Sequence, residues 1–198
     1  MVEMFFKPNV QKIVAANDTE KLLSLLKHRS MQVRIDSMLA LFKLFENDEE
    51  SRNRMRFLLS DKNPRVKNRA AMQFARYGDT DVIDILFEII SSGPLGEQIE
   101  VLRLLPHFYS WENDKITQIL ALALRDKKLT VQSEAIKSIG EMKIETMAFY
   151  LLDFVNHPSV RVRHDAVVAL GRTKNPIATD ELIGSLTDSS PEVRKAAE

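Results

Sequence analysis

The stretch NHPSVRVRHDAVVALG, residues 156–171, opens on a polar turn and runs into a segment whose apolar residues Val162, Ala166, Val167 and Leu170 return at helical intervals. Residues spaced this way share one face of a helix, whereas in a strand they would be split between both faces. The same phrase recurs as DKNPRVKNRAA at residues 61–71 and, directly after Asp188, as SSPEVRKAA at residues 189–197. Aligning its central valine gives a register through the chain: Val33, Val66, Glu97, Val131, Val162 and Val193, at spacings of 33, 31, 34, 31 and 31 residues. Seven places upstream stand Leu26, Leu59, Ile90, Leu124, Val155 and Leu186, and eleven upstream stand Leu22, Met55, Leu86, Leu120, Leu151 and Leu182. Both columns are apolar in every unit, which a chain only 44% hydrophobic would rarely produce by chance.

Each unit is therefore expected to be two amphipathic helices joined by a short polar turn, in a repeat architecture whose units run roughly 18–47, 48–78, 79–109, 110–142, 143–173 and 174–198. A segment PNVQKIVAAND before them fits an N-terminal capping helix. Pro64 and Pro191 suit the first turn of a helix, where a missing N–H is harmless. Asp61, Asp126 and Asp188 suit turn capping, and His28 shares its turn position with His157. Gly78, Gly140 and Gly171 are read as stops after three of the second helices. Small residues four places downstream of the register (Ser37, Ala70, Ala135, Ala166 and Ala197) let helix axes approach closely. The sixth unit breaks off at AAE, which reads as a fragment of a longer solenoid with an end open to pairing.

These recurring phrases, with their Asp, Pro, Val-Arg and Ala-Ala pattern, resemble the HEAT-like repeats of phycobilisome lyases over residues 18–198. The resemblance implies an all-α fold: a right-handed α-α superhelix of about six helical hairpins in a single domain, residues 1–198. It matches structural residues, so it implies architecture more than activity. In the middle of the chain Glu97-Gln98 replaces Val-Arg and Leu129-Thr130 replaces the proline step, so helix pairing there is expected to shift or bend.

The 198 residues carry 28 basic and 28 acidic side chains and no cysteine. The absence of cysteine excludes disulfides, thiol catalysis and thiolate metal sites. Neutral balance weighs against a nucleic-acid binder or a polybasic membrane anchor. The opening MVEMFFKP lacks the layout of a signal peptide, and the expected compartment is cytoplasmic. No P-loop, dinucleotide fingerprint or nucleophile elbow occurs, and no pair of the four histidines has the spacing of a helical metal site. No cofactor and no metal are expected.

Two surfaces remain as candidates for a partner. One is the concave face that the second helices form in this family, where Leu39 and Met72 offer apolar anchors and Arg69, Arg76, Arg103, His107 and Lys137 offer charge for acidic side chains. The other is the aromatic connection LLPHFYSWEND, in which Pro106 ends a helix and Phe108, Tyr109 and Trp111 crowd together. One residue after the register, Arg34, Lys67, Gln98, Gln132, Arg163 and Arg194 form a ladder, read as hydrogen bonding between repeats beside the turn aspartates. The function expected is a non-catalytic scaffold binding a protein or peptide, of open oligomeric state. Two alternatives stand: a bilin-lyase-like enzyme or chromophore carrier using His107 with Tyr109, and nucleic-acid binding on Arg69, Arg76, Arg103 and Lys137.

Overall fold

A computed structural model describes residues 8–107 and 114–198. Among these residues every regular element is helical. Contacts divide the chain into two compact units, residues 1–82 and 83–198.

The first unit begins with α1 (Val10–Ala15), started by Asn9, whose side chain accepts from the Lys12 N–H. A left-handed Asn17 (φ 54°) then leads to α2 (Thr19–Leu25), capped by Asp18 in the same way. The partner of α2 is α3 (Met31–Leu44), and the second hairpin joins α4 (Glu49–Asn53) and a 3-10 segment, Arg56–Ser60, to α5 (Pro64–Ala75). Pro64 occupies the first turn of α5 as expected, with Asn63 as the cap. The core comes from the repeat columns: Leu22, Met55, Val33, Val66, Leu41 and Ala70 are fully buried. Each such leucine or valine withdrawn from water contributes about 1.5–3 kcal/mol. Phe42 holds the two hairpins together. It meets Phe74 edge to face at 5.0 Å and stacks on Tyr77 at 5.9 Å, while the Tyr77 hydroxyl donates to the Phe42 carbonyl at 3.2 Å.

The second unit holds four hairpins: α6 (Ile83–Ser92) with α7 (Leu95–Leu104), α8 (Asp114–Leu124) with α9 (Leu129–Met142), α10 (Ala148–Leu151) with α11 (Val160–Thr173), and α12 (Thr179–Ser185) with α13 (Pro191–Ala197). The register residues Glu97, Val131, Val162 and Val193 each take the third position of their helix, so the middle of the chain keeps the repeat in step despite its altered phrase. Pro106 does end α7, within a 3-10 segment Leu105–His107. The second helices pack side by side in order, α7 on α9, α9 on α11 and α11 on α13.

Two of the three glycine stops require correction. Gly78 is left-handed (φ 75°), but α9 runs through Gly140 and α11 through Gly171, and each ends three residues later at a left-handed lysine, Lys143 (φ 53°) and Lys174 (φ 55°). Gly78, Lys143 and Lys174 all lie twelve places after their register valine, whereas Gly140 and Gly171 lie nine after. Gly140 serves packing instead: a Cβ there would stand 2.8 Å from the Ala169 Cα, so α9 and α11 touch backbone to backbone.

Candidate partner-binding face

Five of the turns inside the hairpins are closed by the residue five places before the register. Asp61, Asp126 and Asp188 accept through Oδ1 from the N–H two residues on, at 2.8, 2.7 and 2.7 Å. His28 and His157 do the same through Nδ1, each at 3.0 Å. Imidazole and carboxylate are thus interchangeable caps at this position. The ladder residue then ties one turn to the next. Arg34 donates through Nη1 to the carbonyls of His28 (2.8 Å) and Arg29 (3.3 Å) in its own turn, and through Nε and Nη2 to both oxygens of Asp61 in the following turn, at 2.8 and 2.9 Å. Arg163 repeats this with His157, Pro158 and Asp188. Planar, doubly hydrogen-bonded pairs of this kind are the strong form of ion pair. The Arg163 hydrogen bonds, followed by the Ser190 N–H, pull the Asp188 carboxyl down to about 2. Gln98 makes a weaker version, donating to the Ile90 carbonyl at 2.7 Å and reaching Asp126 at 3.5 Å. The ladder therefore fastens repeat to repeat at Arg34 and Arg163, and these two arginines are consumed in doing so.

On the face of the second helices in the second unit, acids lie inside and bases outside. Glu134 and Asp165, three places after the register, are each only 8% exposed. Arg103 on α7 grips Glu134 on α9 through Nε (3.1 Å) and Nη2 (3.0 Å). Lys137 on α9 lies 3.8 Å from Glu134 and 3.6 Å from Asp165 on α11, which also accepts from the buried Ser133 hydroxyl. The Arg103 hydrogen bonds hold the Glu134 carboxyl below its ordinary range against the opposing effect of burial, with the Lys137 charge assisting. The base six places after one register thus meets the acid three places after the next. A pocket of about 230 Å³ beside this row is lined by Lys137, Glu141, His164, Asp165, Val168, Ala169 and Arg172. Arg103 and His107 are exposed on the same unit, and Lys137 is half-buried.

In the first unit Leu39 is 37% exposed and Arg76 is exposed, while Arg69 is half-buried; both arginines already have interaction partners. Met72 is fully buried, which removes it as an apolar anchor. Every residue of α5 from Ala70 to Ala75 is buried, so this helix is enclosed all round and keeps no open face at that height. Phe108, Tyr109 and Trp111 lie outside the described residues.

The sequence did not point to a second polar cluster in the first unit. Arg56 pairs with Asp79 and with Asp81 (2.6 Å), and Arg52 lies 4.2 Å over the Tyr77 ring, along a cavity of about 640 Å³. Arg52 lies near the end of α4 and Arg56 opens the 3-10 segment that follows it. Among the described residues no group of three or more His, Asp or Glu side chains is placed to hold a metal ion. No helix among them is long and apolar enough to cross a membrane.

Residues 116–198 match the family model of HEAT repeats. No curated protein matches the chain by sequence. The structure is similar to that of an engineered protein, at 17% identity over 91% of this chain and 94% of that one, with a TM-score of 0.59. It is also similar to a chain in the complex of CpcE and CpcF of phycocyanin lyase from Nostoc sp. PCC7120, at 14% identity over 90% of this chain and 74% of that one, TM-score 0.59. A third likeness is to a chain in a structure of microtubule plus end tracking by XMAP215, CLIP-170 and EB1, at 15% identity over 90% and 87%, TM-score 0.52. At these identities the likeness is one of fold, a HEAT-like stack of helical hairpins.

Proposed function

Starting from a HEAT-like fold in which nearly every patterned residue is spent on stacking, we propose that this chain is a cytoplasmic, non-catalytic scaffold whose second-helix face binds an acidic segment of another protein. The observation that carries this reading is the layering of charge around Arg103, Glu134, Lys137 and Asp165. The carboxylates are buried and satisfied, so the groups offered outward are guanidinium and ammonium donors fixed in position by them. Donors held rigid before binding lose less freedom when a partner arrives. Arg103, His107 and Lys137, all on the second unit, would read acidic side chains.

The test is affinity capture from native extract with the unaltered chain and with an Arg103→Gln, Lys137→Gln double variant, which removes both outward charges while leaving amide donors beside Glu134 and Asp165. Helicity should be unchanged, and a bound protein should be lost from the variant alone. Partners retained at equal strength by the variant would remove this face from consideration. Recovery of a pigment or a nucleic acid in place of a protein would favour one of the two alternative functions.

A further inference from the structure

The cavity of about 640 Å³ in the first unit is lined by two arginines in opposite electrostatic conditions. Arg52 is fixed in place without a counter-charge. Its guanidinium lies 4.2 Å over the Tyr77 ring, and its Nη1 donates to the carbonyls of Phe45 and Glu46, at 2.8 and 2.6 Å, just past the end of α3. Tyr77 is itself held, stacked on Phe42 and donating its hydroxyl to the Phe42 carbonyl. Among the described residues no carboxylate comes within ion-pair distance of Arg52, and its Nε and Nη2 meet no acceptor.

Arg56, whose guanidinium lies 5.3 Å from the centre of the Phe74 ring, stands in a surplus of negative charge. It is shared by Asp79 and Asp81, which together carry twice its charge. Asp79 is spent twice over, since it also accepts from the Asp81 N–H at 3.0 Å. The Asp81 side chain is 77% exposed and meets Arg56 through Oδ2, which leaves Oδ1 without a donor among the described residues. Glu49, also on the lining, is exposed. The cavity is thus positive at a rigid guanidinium edge and negative around Asp81, and this pattern selects by charge. A dianion such as phosphate would gain at Arg52 and be repelled by the carboxylates. A simple cation would gain at Asp81 and be repelled at Arg52. A molecule bearing both charges satisfies both ends.

We propose that this cavity binds a small zwitterion of the amino-acid type. Its carboxylate accepts two hydrogen bonds from Nε and Nη2 of Arg52, and its ammonium donates to Asp81. The volume falls within the range of about 300–1,000 Å³ usual for small-molecule sites. Arg52, already immobilised by Tyr77 and two carbonyls, loses little freedom when the ligand arrives. Every lining residue belongs to the first unit, so the site stands independently of the second-helix face of the second unit.

The full chain is titrated calorimetrically with linear ω-amino acids from glycine to 6-aminohexanoate. Alkanoates and alkylamines of matching length and inorganic phosphate are titrated in parallel. One member of the series should bind saturably, about tenfold or more tighter than its singly charged analogues and than phosphate. Arg52→Lys keeps the charge and loses the fork, and should weaken that zwitterion by about tenfold. Because Arg52 also ties down the end of α3, the deciding variant is Asp81→Asn, at a largely exposed side chain. It should bring the zwitterion down to the affinity of the alkanoate. If no member of the series binds, Arg52 is only a cap on α3 and the proposal falls. It falls equally if phosphate or a singly charged analogue binds as tightly as the best zwitterion, or if that zwitterion keeps its advantage in Asp81→Asn.

Discussion

The turn pair Arg163–Asp188 and the turn pair Gln132–His157 occupy the same place in consecutive repeats, and they are built differently. In the first, five hydrogen bonds from one guanidinium join the turn before α11 to the turn before α13. In the second, glutamine replaces arginine, histidine replaces aspartate, and the Gln132 Oε1 is buried with no hydrogen-bond partner among the described residues. The helices above the weaker turn touch backbone to backbone, Gly140 lying against Ala169. A polar rung at the edge and a backbone contact in the interior are therefore alternative ways to hold neighbouring hairpins together.

The most damaging test of that comparison is Gly140→Leu. A side chain at the 2.8 Å contact forces α9 from α11 where no rung can hold them, and a loss of about 1–3 kcal/mol is expected by chemical denaturation. An unchanged midpoint would show that the close approach is incidental.

Next in size is Asp188→Asn, which removes the acceptor charge from the strong rung. It should lower the melting midpoint at neutral pH and flatten the acid limb of stability. The Asp188 carboxyl is held at about 2, below its ordinary 3.8, so its contribution is complete above the ordinary value and fades as the pH falls through about 2. Between those two values the native chain should lose stability more steeply than the variant. Parallel acid limbs would mean that the rung is not electrostatic in character.

The smallest effect, and the only gain, is expected from installing the absent rung. Gln132→Arg together with His157→Asp should stabilise by about 1 kcal/mol, with neither substitution stabilising alone, as a double-mutant cycle would show. Asp61 demonstrates that an aspartate at this position still caps its turn, so the histidine's local role survives the exchange.

The hairpins, their register and the ladder were legible because each depends on residue type repeated at fixed spacing. Burial of Leu22, Met55, Leu86, Leu120 and Leu151 follows directly from their column. The helix stops were misassigned because glycine was weighed by type rather than by column. Gly78 lies in the column where the chain turns left-handed, and the lysines that share it carry no such mark in their chemistry. A glycine inside a helix costs only about 1 kcal/mol, which close packing at Gly140 readily offsets. Met72 eluded the sequence for a different reason. Its place on the helix identifies the direction in which it points, while the enclosure of α5 on every side depends on neighbours distant in sequence. The charge layering of the second-helix face was half legible: the acids and bases stood in their columns, but their joining across repeats and the burial of Glu134 and Asp165 are properties of packing.

The rungs also bear on how the chain is made. Arg34 reaches Asp61 across 27 residues, and Arg163 reaches Asp188 across 25. Neither link waits for a segment more than one repeat away, so the entropy lost in closing each of these two loops is small and similar. Contacts this local favour rapid folding. A ribosome releasing the chain from its N-terminus would deliver every hairpin to a neighbour already in place, and the order of synthesis can serve as the order of assembly.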